Sequence, residues 1–301
     1  MIMGKAIYHL IGSAFGHGAK IYSTAKGPGY LRDNYGLHQQ LGPEFVWSAG
    51  VQARDWPETQ DHRGLNYEAV LQHNRWLAGA VGEHIHLKDG FPVIIGGDHS
   101  CGIGTWSGAI SALGMQQKFG LIWLDAHMDA HVPETSHSKS FHGMPLSHLL
   151  GYGDPELRQI GLNAPKLKPK HLVLIGIRSY EREERAFLEQ QNITVFYVED
   201  IERLGIETVL QKAMAIATNG TDGFGVSLDI DVFDPELAPG TGCHEPGGLV
   251  PETLLPGLPQ LFSSPQLRCL EIAEFDPALD RNQMTSDLIR DILRCLKEVR
   301  K

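Results

Sequence analysis

Eight short apolar runs, separated by helix-length segments, constrain this sequence more than any other feature. They are Ala6–Ile11, Phe45–Ala49, Pro92–Ile95, Leu121–Leu124, Leu172–Gly176, Thr194–Tyr197, Gly225–Leu228 and Leu267–Ile272. Most are continuously apolar instead of alternating, the pattern of strands buried on both faces. The intervening segments predict helices over Asn66–Val81, Gly102–Met115, Arg182–Gln191, Glu207–Thr218 and Ser286–Lys297. In the last of these, Leu288, Ile289, Ile292, Leu293 and Leu296 form one apolar face, and Ser286 or Thr285 is placed to cap it. Pro256 and Pro259 make the helix expected over 251–262 irregular. Repetition of strand, helix and strand implies right-handed crossovers and a parallel sheet covered on both faces. Ligands of such sheets collect at the carboxyl ends of the strands, so the residues just after each apolar run are the ones to inspect.

Three runs end in residues with metal chemistry. One leads into Gly96-Gly97-Asp98-His99-Ser100, another into Asp125-Ala126-His127-Met128-Asp129, and a third into Asp229-Ile230-Asp231 with Asp234-Pro235 beyond. A carboxylate directly after a buried strand is costly unless it is paired or coordinated. Alternate side chains of an extended chain share a face, so Asp125, His127 and Asp129 can converge, as can Asp229 and Asp231. With His99 they make four carboxylates and two imidazoles, a set that can neutralise two bridged dications. Oxygen-rich donors with some nitrogen suit manganese or another hard to borderline ion. No cysteine joins these motifs, so thiolate-bound zinc is not expected. Two such ions about 3.5–4 Å apart can share a water and ionise it near neutral pH. Taken singly, each cluster also reads as a solvated loop, a cap or a glycine turn. Their common place at one predicted sheet edge favours the metal reading.

The 301 residues, 42 % hydrophobic, suffice for a sizeable core, and no linker, repeat or charge block divides them; one domain over 1–301 is expected. A net charge of -10 argues against nucleic-acid or anionic-membrane partners. Met1 to Phe15 has no sustained apolar core of a signal peptide, and no apolar run is long enough to span a bilayer. Cys101, Cys243, Cys269 and Cys295 lack CxxC spacing and suit reduced thiols, so a cytoplasmic location is expected.

The signatures GGDHS, DAHMD and SLDIDVFDP, in that order, resemble the ureohydrolase family, which includes arginases, agmatinases and formimidoylglutamases. The likeness runs from the first strand to Glu271–Pro277 and is greatest to arginases. It implies a three-layer α/β/α fold with a mainly parallel eight-stranded sheet, and a homotrimer or homohexamer. It also implies two manganese ions per subunit, with cobalt, nickel or iron as alternatives. The substrate implied is a small cationic guanidino compound, cleaved at a C–N bond to release urea. By motif, His99, Asp125, Asp129 and Asp231 bind one ion or the other, and His127 and Asp229 complete the set.

His142-Gly143-Met144-Pro145 resembles the arginase segment that bears a proton-shuttling histidine, just before a short helix expected over Met144–Leu150. Asp129 has a proton-transfer role by the same likeness, and Glu274 resembles the glutamate that pairs with the guanidinium. The sequence departs from arginases around the substrate's tail. His131 stands where they carry Asn, and Ser138-Lys139-Ser140 stands where they carry Ser-Gly-Asn. Lys139 can attract a carboxylate, Glu181 falls near an aspartate that approaches the α-amino group, and Thr241 lies in a pocket-lining turn. Lys139 and Glu181 also read as solvated loop charges. Cys243-His244 has no reading at this level. L-Arginine is the first substrate expected; agmatine, guanidinobutyrate, another guanidino acid or guanidine comes next, and formimidoylglutamate after them. A non-catalytic relative is last, because such a chain would show ligand loss.

Overall fold

The computed structural model describes residues 6–52, 56–87, 90–116 and 118–300, so Met1–Lys5 of the leading segment discussed above lie outside the described residues. Strands form at all eight apolar runs: β1 (Ile7–Ala14), β2 (Phe45–Gln52), β3 (Gly90–Ile95), β4 (Phe119–Leu124), β5 (Leu172–Ile177), β6 (Thr194–Tyr197), β7 (Gly223–Asp229) and β8 (Leu267–Ala273). The long helices are α1 (Tyr67–His84), α2 (Cys101–Ala112), α3 (Arg182–Gln190), α4 (Ile206–Thr218) and α5 (Met284–Val299). The strands make one sheet in the order β2-β1-β3-β8-β7-β4-β5-β6, with every neighbouring pair parallel.

Alternate side chains of each strand feed two different cores. On β4, Leu121 and Trp123 join Leu77 and Val81 of α1, Trp106 of α2 and Leu188 of α3. Ile122 and Leu124 point the other way, to Val209 and Leu210 of α4 and Ile289 and Leu293 of α5. All six residues of β4 are buried, as the unbroken apolar run requires. The result is a three-layer α/β/α architecture. Gly225 on β7 has a packing reason: a Cβ there would come within 2.0 Å of the Trp106 ring.

Some local expectations are corrected. The cap of α5 is neither Ser286 nor Thr285. Asp280 accepts from both of their amides, at 3.1 and 2.9 Å, while Thr285 Oγ1 accepts from Gly240 N at 2.8 Å. Helix α2 stops at Ala112, short of Met115. Short helices at Gly27–Asp33, Leu37–Leu41 and Val198–Leu204 span too few turns to show a helical period in sequence. The proline-rich stretch is broken as expected, into Pro251–Leu254, a 3-10 turn over Leu255–Gly257, and Leu258–Phe262.

Candidate active site

The four central strands stand in the order β3-β8-β7-β4, so the ends that carry His99, Glu274, Asp229 and Asp125 lie side by side. His99 Nδ1 lies 2.9 Å from Asp229 Oδ2, 3.1 Å from Asp125 Oδ2 and 3.2 Å from Asp129 Oδ2. It nevertheless makes no hydrogen bond, because none of these oxygens has the alignment that one needs. The ring's other nitrogen is engaged. Nε2 lies 2.9 Å from Ser227 Oγ, and Ser227 gives its own proton to Glu271 Oε2 at 2.6 Å. Nε2 must therefore be the donor to Ser227, which leaves Nδ1 facing the carboxylates. Trp106 Nε1 also donates to Glu271, at 2.9 Å, and the His99 ring stacks on Trp123 at 4.1 Å.

A second cluster adjoins the first. His127 Nδ1 is 3.0 Å from Asp231 Oδ2 and 3.5 Å from Asp125 Oδ1, so Asp125 presents one oxygen to each histidine. Trp123 Nε1 and the His127 amide donate to Asp125 at 2.8 and 2.6 Å, and the Asp231 amide donates to Asp229 at 2.8 Å. These bonds orient the carboxylates before anything binds. Burial, followed by the neighbouring Asp125 charge, pushes Asp129 up to about 7. Burial and the charges of Asp231 and Asp125 push Asp229 well above the carboxylate range. Burial opposes protonation of His99, yet Asp125, Asp129 and Asp229 outweigh it and hold the imidazole well above its usual value. Crowded carboxylates around one nitrogen demand a positive charge, which a proton or a cation can supply.

Glu274 is buried, and its Oε1 accepts from the His99 amide at 2.8 Å and from His142 Nδ1 at 3.2 Å. Burial opposes ionisation of Glu274, but His142 holds it below the usual range; Glu274 in turn raises His142 to about 9 against the effect of burial. Asp129 and Glu274 have φ of 48° and 63°, a left-handed conformation that costs a non-glycine residue backbone strain and that the surrounding contacts must hold. At the rim, His131 Nε2 is 2.8 Å from Glu181 Oε2 and 3.3 Å from Glu184 Oε2, and its Nδ1 is 2.9 Å from Thr135 Oγ1.

His99, His127, Asp129, His142, Asp229, Asp231 and Glu274 line one cavity of about 360 Å³, which His131, Ser138 and Glu181 also reach. Two expected tail residues do not line it. Lys139 turns its ammonium onto the Pro133 carbonyl, and Thr241 is buried in a bridge with Phe275. A larger groove of about 700 Å³, between α1 and α2, is lined by small residues such as Gly79, Gly82 and Gly108 and gathers none of this chemistry.

A model described as the arginase family matches residues 7–297. The chain is 38 % identical to an arginase of Bacillus caldovelox over 231 residues, 77 % of this chain and 76 % of that one. The solved structure of Bacillus caldovelox arginase superposes with a TM-score of 0.89 at 33 % identity, covering 98 % of both chains. Entamoeba histolytica arginase, solved with L-ornithine, gives 0.87 at 27 % identity over 98 % of this chain and 99 % of that one. The chain belongs to the arginase family.

As a member of the arginase family it is a hydrolase of C–N bonds in linear amidines. Binuclear metal centres are typical of that family, and the donors present here suit one. His99 Nδ1 is an orphaned nitrogen amid buried carboxylates, and separate groups of donors form around His99 and around His127. Sequence reading missed several participants. Glu184, in the Glu181-x-x-Glu184 pattern of a helix start, accepts the Ala130 and Glu181 amides, and burial beside Glu181 raises it to about 9. That pattern is a helix-capping signal and was open to detection. Glu271, a charge inside an apolar strand, was visible too. Cys243 and Glu245, which also line the cavity, had no signal.

Proposed function

We propose that this arginase-family chain hydrolyses the guanidino C–N bond of L-arginine, releasing urea and L-ornithine, with two divalent cations, manganese first among them. The observation that carries it is the convergence of two donor clusters and Glu274 on one cavity. His99, Asp125, Asp129 and Asp229 would hold one ion; His127, Asp231 and the far oxygen of Asp125 would hold the other, with Asp229 beside them. Bound there, the ions supply a water ionised near neutral pH and a field that stabilises developing charge.

The chain's own groups do the rest. Glu274, buried and already ionised, anchors the planar guanidinium through charge-assisted hydrogen bonds. Asp129 takes a proton from the attacking water and returns it to the leaving nitrogen. His142, about a quarter exposed, exchanges protons between the buried carboxylates and solvent. His131, Ser138 and Glu181 face the remaining length of the substrate.

A second reading, an aminoalkyl guanidine such as agmatine, is favoured by the rim. Glu181, Glu184 and Glu245 line the cavity, whereas no lysine or arginine among the described residues does. A single domain is supported by the one sheet that carries every ligand group. The free state of all four cysteines supports a cytoplasmic setting, and the family likeness supports a trimer or hexamer.

The deciding experiment is urea release, with manganese, across arginine, agmatine, guanidinobutyrate and guanidine. Turnover of arginine above the others is expected. No release from any of them at full metal occupancy overturns the proposal.

A further inference from the structure

We infer that Cys243 is a thiolate ligand of the second ion, so that this position favours a softer dication such as zinc or cobalt over manganese. The inference rests on the two-ion reading above and deepens it: manganese stays first at the His99 position only, and the expectation of no thiolate ligand is revised at the His127 position, where Cys243 joins the donors. Donor atoms of His127, Asp231 and Cys243 all lie within 4.8 Å of one another, as do those of His99, Asp125 and Asp229. The first set thus ends in a sulfur where the other has a carboxylate.

The sulfur is held in place by a pinned loop. Before it, Thr241 bridges Phe275, the Gly240 amide donates to Thr285 Oγ1 at 2.8 Å, and the Gly240 carbonyl accepts from Asp276 N at 2.8 Å. After it, His244 Nε2 donates to the Pro239 carbonyl at 2.9 Å, and the Glu245 carbonyl accepts from Arg178 at 2.8 Å. A ligand set on such a loop needs no backbone rearrangement to bind. Glu245 Oε1 stands 3.7 Å from His127 Nε2, on the far side of the ring from the Nδ1 that faces Asp231. A carboxylate behind a histidine is the usual orienting device of metal-bound imidazole.

A second, independent observation points to a cation at this centre. His99 Nδ1, on a side chain only 1 % exposed, has no hydrogen-bond partner amid three carboxylates, one of which, Asp125, reaches both histidines. On binding, the S–H bond of Cys243 breaks, the sulfur pair forms the bond to the ion, and the proton leaves to solvent; no electron changes hands. Thiolate softness then shifts preference toward zinc, cobalt and iron(II).

Anaerobic loading of the full chain with cobalt(II) tests this, read by near-ultraviolet absorption and by elemental analysis. Two cobalt ions per chain and a sulfur-to-cobalt charge-transfer band are expected. Cys243→Ser should keep the ions, lose the band, and show a zinc-to-manganese affinity ratio lower by about tenfold or more. X-ray absorption of the zinc-loaded natural chain, which needs no variant, should show a Zn–S shell at about 2.3 Å. Two cobalt ions without the band, a band that persists in Cys243→Ser, or a zinc shell without sulfur overturns the proposal. Failure to take up any cobalt or zinc overturns the two-ion reading itself, and this inference with it.

Discussion

His142 Nδ1 lies 3.2 Å from Glu274 Oε1, so the histidine of the HGMP segment and the buried glutamate of the β8 end hold one another before any substrate arrives. An incoming guanidinium must share or displace that contact. Glu274→Gln keeps the shape and removes the charge, and should lower kcat/KM for a guanidino substrate by roughly 10²-fold through lost charge-assisted bonds. His142→Asn leaves the anchor in place and should lower kcat by roughly 10²-fold or more with a small change in KM. Steady-state kinetics on both variants check the split; equal KM effects would remove the distinction between anchor and shuttle.

Metal removal has its own signature. Dialysis against a chelator should abolish turnover and lower Tm, and readdition of manganese should restore both, since an ion at 100-fold its Kd adds about 2.7 kcal/mol. Asp231→Ala removes the nearest carboxylate to His127 Nδ1, at 3.0 Å. It should bind fewer ions per chain by elemental analysis and should not be rescued. Full ion content in Asp231→Ala would contradict the ligand assignment.

Gly97 tests how the site is seated. A Cβ there would stand 1.7 Å from the Phe15 carbonyl oxygen, which already receives the Asp98 amide at 2.9 Å, and the Gly97 carbonyl receives the Glu274 amide at 2.8 Å. Gly97→Ala should therefore cost more than about 3 kcal/mol in chemical denaturation and shift Glu274 as well. A stability equal to that of the natural chain would show that the close approach is absent.

Stability should fall with acid in a way traceable to one core residue. His73 is buried against Phe15, with Nε2 2.8 Å from Ser13 Oγ, and burial together with the His17 charge lowers it to about 3. Its folded value lies below its unfolded value, so the unfolded chain binds the extra proton. The associated stability is complete above about pH 6.5 and declines by about 1.4 kcal/mol per unit as pH falls toward 3. His73→Asn lacks this component. Between pH 7 and pH 5 it should lose about 2 kcal/mol less than the natural chain in urea titrations.

Strand positions, the parallel sheet and the metal-type donors are legible along the chain, because each is a local pattern. Unbroken apolar runs report burial on both faces, and charges just past them report strand ends. Adjacency is set by the packed fold. Strands β8 and β7 insert between β3 and β4, so Glu274 meets the His99 amide across 175 positions of chain. Lys139 looked available for a carboxylate, but its left-handed backbone and the Pro133 carbonyl hold it away from the cavity. Cys243 looked idle, yet a loop tied to Phe275, just past β8, and to α5 delivers it beside His127 and Asp231. Periodicity is read along the chain, whereas loop side chains are placed by contacts with distant segments, and those contacts exist only once the core has packed.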